Sequence, residues 1–96
     1  MKTLEEIKTI LSGKKSYLKR KYNVISIGVF GSYASGNASA SSDVDILVEY
    51  SENPGWEFID LKEFLEGILD LKVDLVTLNA LRPSFKENIL SQLIQV

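Results

Sequence analysis

The sequence predicts one two-layer α+β domain over residues 1–96, with a small mixed β-sheet of three or four strands and helices packed mainly on one face. Segments with apolar residues at helical spacing alternate with short β-branched runs, in the order α-β-α-β-α-β-α. A chain of 96 residues has room for one domain. Neither an internal repeat nor a linker-like segment divides it, and helices lying on one small sheet bury both sets of apolar side chains.

The first helix is predicted from its capping signal. Thr3 and Glu6 match a capping box, in which each side chain accepts a hydrogen bond from the other residue's amide. Apolar residues then recur every three or four positions, so we expect one helix from Leu4 to Lys21 that is loosened at Gly13.

Three short segments rich in β-branched residues predict the strands. They lie at Val24–Phe30, Val44–Tyr50 and Lys72–Leu78. Between the first two, the segment Gly31–Ser42 contains five serines, three alanines and two glycines. This composition predicts a loop with a short segment at its start that could turn helical.

Two further helices complete the predicted domain. Asn53 is suited to the N-cap and Pro54 to the first position of the helix between the second and third strands. The apolar positions of this helix are Trp56, Ile59, Leu61, Leu65, Ile68 and Leu69. Pro83 can open the last helix, with Phe85, Ile89 and Leu93 on one stripe. We expect the tail Leu93–Val96 to form an edge strand.

The composition restricts the chemistry. The chain has no cysteine and no histidine, which excludes thiol nucleophiles, imidazole bases, disulfides and zinc sites of the usual ligand set. Residues 1–22 carry seven basic and two acidic side chains, whereas residues 23–96 carry four basic and eleven acidic ones. An isoelectric point near 5.1 argues against direct DNA binding. Without a signal peptide or an apolar run of membrane-spanning length, we expect a cytoplasmic protein.

Two aspartates stand side by side at the start of the second strand. Alternation along a strand places Asp43 and Asp45 on one face, with Cα atoms about 6.6 Å apart, and Val44, Ile46 and Val48 on the other. The apolar set can enter the core while the carboxylates face outward. Mg²⁺ is commonly held by one or two carboxylates together with substrate phosphates. Two solvated acids at the start of an exposed strand are the alternative interpretation.

Two other features support a functional interpretation of this aspartate pair. Gly31 and Ser32 directly follow the first strand, where glycine permits close backbone approach and amides at a helix start attract phosphate. Asp74 interrupts an apolar strand, where a carboxylate is costly unless it is paired, bound to a metal or facing water. Together with the aspartate pair, these residues form the arrangement that two-metal phosphoryl or nucleotidyl transfer requires.

These residues resemble the nucleotidyltransferase superfamily related to DNA polymerase beta, and within it the small MNT ("minimal nucleotidyltransferase") proteins. The resemblance rests on three segments, namely Gly31–Gly36 (GSYASG), Ser42–Val48 (SDVDILV) and Val73–Val76 (VDLV). The family pattern is G-S-x-A-x-G, a short loop, S-D-x-D-hydrophobic-x-V and a later strand aspartate. The resemblance therefore implies a nucleotidyltransferase fold over almost the whole chain.

The resemblance also implies roles for individual residues. Gly31, Ser32 and Ser42 belong to the segments around the nucleotide phosphates, and Asp43, Asp45 and Asp74 serve as catalytic ligands of two Mg²⁺ ions. The nucleotide donor is ATP. Small MNT proteins pair with a HEPN-domain toxin encoded by an adjacent gene and act as antitoxins, in type VII-like systems, by transferring AMP to a tyrosine of the toxin.

The chain departs from the family pattern in its cations. Many members carry arginine at the position of Ser35 and another basic residue at that of Ser39, whereas this chain has no basic residue between Asn23 and Lys62. Because triphosphate is highly anionic, other cations must replace them. Arg82 and Lys86, near the start of the last helix, are candidates, and a partner subunit in a homo- or hetero-oligomer could supply another.

Three functions remain open from the sequence. The first is an Mg²⁺-dependent nucleotidyltransferase that acts on a partner protein. The second is a catalytically weak module that neutralises its partner by contact alone, which the missing loop cations favour. The third is nucleotidyl transfer to a small-molecule hydroxyl, for which related enzymes usually carry a second substrate-binding domain.

Overall fold

A computed structural model describes residues 2–52 and 55–96. The helices are α1 (Leu4–Ser12), α2 (Lys15–Tyr22), α3 (Gly31–Ser35), α4 (Glu57–Leu69) and α5 (Pro83–Gln92). The strands are β1 (Val24–Phe30), β2 (Val44–Tyr50), β3 (Val73–Thr77) and β4 (Ile94–Gln95), with a 3₁₀ turn at Leu78–Ala80 after β3. The predicted α+β fold class is confirmed.

The four strands form one mixed sheet in the order β3-β2-β1-β4. β1 runs antiparallel to both β2 and β4, and β2 runs parallel to β3. A parallel pair needs a long crossover connection, which α4 supplies between β2 and β3. The expected edge strand in the tail is present, although it covers only Ile94–Gln95.

The core lies between one face of the sheet and three helices. Val44, Ile46 and Val48 of β2 are fully buried, as their alternation predicts. The facing helices contribute buried side chains at helical spacing, namely Ile7, Leu11, Leu18, Leu61, Leu65 and Leu69. Among the described residues, no helix is long and apolar enough to cross a membrane.

The prediction of a single helix from Leu4 to Lys21 is wrong. The predicted capping box at Thr3 and Glu6 is present and opens α1, but α1 ends at Ser12 and α2 begins at Lys15. Gly13 caps α1 with its amide bonded to the carbonyls of Leu11 and Thr9. Glycine is among the least favourable residues inside a helix, and the interruption falls at Gly13, where the sequence predicts a loosened helix. Leu11 and Leu18, on either side of it, are both buried.

The apolar residues expected on one stripe of α4 are only partly buried. Trp56 is 84% exposed and Ile59 is 52% exposed, because the sheet accommodates only the stripe that starts at Leu61. The predicted caps Asn53 and Pro54 lie outside the described residues. The third strand is one residue shorter at each end than predicted.

The last helix opens at Pro83, as predicted, but its expected stripe is not buried. α5 has no buried residue, Phe85 is 57% exposed and Leu93 follows the end of the helix. Leu93 instead packs over Gly28 of β1. A Cβ at Gly28 would lie 2.7 Å from Leu93 Cδ1 and 2.9 Å from the carbonyl oxygen of Ile94. The absence of a side chain at Gly28 therefore lets Leu93 and β4 close against the sheet.

Gly28→Ala should lower the free energy of unfolding by about 1–3 kcal/mol, because the new methyl group displaces Leu93 and backbone that cannot easily yield. Gly67→Ala is the matched control, since α4 leaves open space at Gly67. That change should stabilise the protein by about 0.5–1 kcal/mol through helix propensity. Urea unfolding of both variants measures the difference, and equal effects would contradict the packing of Leu93.

Candidate active site

Strand register brings two of the predicted carboxylates together. Asp45 of β2 lies opposite Phe30 of β1 and beside Asp74 of β3. Both aspartates point away from the buried face, since their neighbours Val44 and Val73 enter the core. The site thus lies on the open face of the sheet, at the end where β1 leads into α3.

Gly31 allows the chain to turn tightly against this pair. Its φ of 71° lies in the left-handed region, which side chains other than glycine rarely adopt. A Cβ at this position would overlap Oδ2 of Asp45. The backbone of Gly31 therefore touches the carboxylate of Asp45, a contact that the sequence does not predict, since there the glycine is expected to approach a phosphate.

The ionisation of Asp45 reflects this crowding. Burial has the largest effect, followed by the charge of Asp74, a hydrogen bond with Asp74 and the charge of Asp43, and together they raise the pKa of Asp45 from 3.8 to about 6. Two carboxylates that repel each other in this way provide a favourable environment for a cation. Carboxylate oxygens are the ligands that Mg²⁺ prefers, and a chain without cysteine or histidine offers a metal ion mainly oxygen ligands.

The sheet fixes the positions of Asp45 and Asp74 but not that of Asp43. Asp43 is exposed and precedes β2, which begins at Val44, so the sheet does not hold it as it holds Asp45. Within residues 2–52 and 55–96, no three acidic side chains are grouped closely enough to hold a metal ion. The sheet therefore organises two of the three predicted ligands, Asp45 and Asp74, and Asp43 lies at the exposed margin of the site.

The predicted phosphate-binding segment forms a compact hydrogen-bonded loop. The carbonyl of Ser32 accepts from the amide of Asn37 at 2.9 Å and from the hydroxyl of Ser35 at 3.2 Å. The hydroxyl of Ser42 accepts from the amide of Ser39 at 2.9 Å, and the amide of Ser42 donates to the carbonyl of Ser39 at 3.1 Å. Ser42 thus closes the turn that leads to Asp43.

Neither Arg82 nor Glu49 belongs to the aspartate pair. Arg82 is outside the loop, exposed at the N-cap position of α5, and α5 contacts α3. Glu49 belongs to none of the sequence motifs, although strand alternation places it on the same face as Asp45. Its carboxylate accepts a hydrogen bond from the hydroxyl of Ser26 at 3.3 Å, so Glu49 has a partner away from the aspartate pair.

Comparison with known proteins places the chain in a family. The family model of a nucleotidyltransferase domain matches residues 11–96, which include the complete candidate site. The chain belongs to the nucleotidyltransferase family. This nucleotidyltransferase is 45% identical to the protein adenylyltransferase MntA of Thermococcus cleftensis, over 100% of this chain and 98% of the relative. The predicted enzyme class, transfer of a nucleotidyl group, is confirmed.

Solved structures share the fold of this nucleotidyltransferase. A protein described as a minimal nucleotidyltransferase superimposes with a TM-score of 0.85 at 32% identity, covering 99% of this chain and 97% of the other. A toxin–antitoxin structure with AMP-PNP gives 0.68 at 30% identity, covering 86% and 69%. An MNT antitoxin in complex with the tri-AMPylated HEPN toxin of Shewanella oneidensis gives 0.70 at 21% identity, covering 97% and 71%. The resemblance to MNT proteins is confirmed.

Gly31→Ala should disrupt the site beyond its effect on stability. Left-handed backbone costs a non-glycine residue about 1–2 kcal/mol, and the new methyl group must also displace the carboxylate of Asp45. We expect the variant to lose affinity for AMP-PNP by about tenfold or more, measured by calorimetric titration in the presence of Mg²⁺.

Gly36→Ala is the control for this change. Gly36 also has a positive φ of 82°, but nothing lies within 4 Å of the point that a Cβ would occupy there. It should share the backbone cost and leave nucleotide affinity within about twofold. Equal losses of affinity in the two variants would mean that contact between Gly31 and Asp45 does not matter.

Asp45→Asn should make the metal-free protein more stable above pH 6. A raised pKa means that the carboxyl stabilises the fold while protonated and loses that contribution as pH rises through about 6. The asparagine variant lacks this loss, so its advantage should grow between about pH 4 and pH 6, to about 1 kcal/mol after allowance for solvent screening, and stay constant at higher pH. Thermal unfolding in EDTA measures it. A constant difference between pH 4 and pH 6 would contradict the assignment.

Proposed function

We propose that this nucleotidyltransferase transfers AMP from ATP to a tyrosine hydroxyl of a HEPN-class partner protein and thereby acts as an antitoxin. The observation that carries the proposal is the pairing of Asp45 with Asp74 against the backbone of Gly31. Support also comes from the name of the Thermococcus relative and from the toxin–antitoxin complex with AMP-PNP, which is 30% identical to this chain.

The proposed reaction moves one nucleotidyl group. The tyrosine oxygen forms a bond to the α-phosphorus of ATP, the bond from that phosphorus to the bridging oxygen breaks, and pyrophosphate leaves with the bonding electrons. The phenolic proton passes to a carboxylate of the site, for which Asp74 is our candidate. Asp45 and Asp74 would hold the Mg²⁺ ions together with the nucleotide phosphates, and Asp43, at the exposed margin of the site, is the candidate third ligand. When bound, these ions neutralise the phosphate charge and lower the pKa of the attacking hydroxyl.

The remaining residues have proposed roles in binding. Gly31 and Ser32 would lie against the phosphates, with Ser42 shaping the turn that presents Asp43. Arg82 would supply positive charge from the start of α5, which contacts α3. Arg82 would thereby replace the arginine that many MNT proteins carry in this loop at the position of Ser35.

A second candidate function follows from the same loop. Ser35 is exposed, and no basic residue lies between Asn23 and Lys62, so the loop itself contributes no cation. Such a protein could neutralise its partner by contact alone, with little transfer. The two functions differ in whether neutralisation depends on the aspartates.

The double variant Asp43→Asn/Asp45→Asn should abolish transfer. Incubation with ATP, Mg²⁺ and the HEPN-domain protein that we expect the adjacent gene to encode, followed by intact-mass spectrometry of that protein, measures the reaction. The wild type should add AMP to it, and the variant should be slower by about a hundredfold or more because phosphate charge is no longer neutralised.

Asp60→Asn/Asp70→Asn removes the same charge at exposed positions of or next to α4 and should retain full activity. An unchanged partner mass with folded wild-type protein would refute transfer to this partner. If the aspartate double variant also still neutralised the toxin, contact alone would be the function.

A further inference from the structure

A concave region lies between α2 and the first half of β1, at the end of β1 opposite Gly31. It encloses a cavity of about 150 Å³ whose lining includes Lys15, Leu18 and Lys19 of α2 together with Val24–Ile27 of β1. Its floor is apolar, because Leu18, Val24 and Ile27 are buried side chains of the core. We call this region the α2–β1 groove.

The α2–β1 groove is bordered by an open strand edge. β4 pairs with Gly28 and Val29, and the amide of Val96 donates to the carbonyl of Ile27 at 3.1 Å. In the described part of the chain, no strand continues this pairing along Val24–Ser26. Ile25 lies at a register shift between β1 and β2 and is 50% exposed. Open edges present amides and carbonyls that can pair with another extended chain.

The rim of the groove is basic on the side of α2, whereas on the side of β1 the hydroxyl of Ser26 donates to the carboxylate of Glu49. All charged residues of α2 are cationic, and Lys14 precedes them. Lys15 and Lys19 are four residues apart, so they lie on the same side of the helix and both line the groove. The rim therefore repels a basic strand and attracts an acidic one.

We propose that the α2–β1 groove binds an extended acidic segment of a partner protein as an added strand beside β1. Backbone pairing with Val24–Ser26 would provide the main attachment, alternate apolar side chains would enter the cavity, and carboxylates would meet Lys15 and Lys19. A nucleic acid fits these observations less well, since it offers neither a pairing backbone nor apolar side chains for the cavity.

The proposed docking surface is separate from the aspartate site. Gly31 is seven positions along the chain from Val24, or about 23 Å at about 3.3 Å per residue, and four positions, or about 13 Å, from Ile27 at the near end of the groove. A segment bound in the groove would leave Asp45 and Asp74 accessible. The inference depends on neither the metal nor the reaction and goes beyond the function proposed above.

A synthetic peptide tests the groove directly. The probe is an end-blocked, fluorescein-labelled octapeptide of alternating valine and glutamate, titrated with the full chain at pH 7.5 and followed by fluorescence anisotropy. Lys15→Glu/Lys19→Glu should weaken its binding by about tenfold or more. Lys14→Glu/Arg20→Glu makes the same change in net charge on exposed side chains of the same segment that do not line the groove, and should weaken binding by less than about threefold.

Two further probes separate strand pairing from general attraction. The same peptide with alternate amides N-methylated keeps its charge but cannot pair along one edge, so its binding should fall by about tenfold or more. An octanucleotide of thymidine should bind more weakly than the valine–glutamate peptide. Undetectable peptide binding, equal losses in the two charge variants, full binding of the N-methylated peptide or tighter binding of the oligonucleotide would each overturn the proposal.

Discussion

Strand register is the constraint on which the rest of the structure depends. β2 buries Val44, Ile46 and Val48 completely, and a shift of one residue would place Asp45 in the core and these valines and isoleucine outside. The cost of such a shift holds β2 in place between β1 and β3. Asp45 must then lie between Gly31 and Asp74, although burial and like charge both oppose its ionisation. The burial of the apolar side chains on one face of β2 thus keeps Asp45 in its crowded position on the other face.

This arrangement explains why the site contains glycine where β1 ends. The left-handed conformation of Gly31 starts α3 directly at the strand end, and the missing Cβ leaves the space that the carboxylate of Asp45 occupies. A ligand on this face would meet backbone and carboxylate oxygen together, with the loop from α3 to β2 held by serine hydroxyls. The geometry therefore concentrates negative charge on this face, and the nucleotide binding proposed above would need cations to offset that charge.

Much of the fold and part of the site could be predicted from the sequence. β-Branched runs located the strands, and alternation correctly separated Val44 from Asp45 and Val73 from Asp74. Helical spacing was less informative, because it does not show which apolar side chains of a helix pack against the sheet and which remain exposed. Trp56 and Ile59 fit the pattern of α4, yet Leu61, Leu65 and Leu69 already fill the space above the sheet. The pairing of Asp45 with Asp74 depends on sheet order, which no local pattern contains.

The weak attachment of α5 has a consequence for local unfolding. α5 buries no side chain, and it is fastened to the sheet through Leu93 on Gly28 and the two residues of β4. Elements with few buried contacts open at lower free energy than the core, so we expect α5 and β4 to detach before the core strands separate, with the loss of the contact between α5 and α3. Detachment removes the only neighbour of β1 on that side among residues 2–52 and 55–96. The open edge then extends along the whole strand, and a second copy of the chain that donates its own tail can close it, which is the geometry of domain swapping.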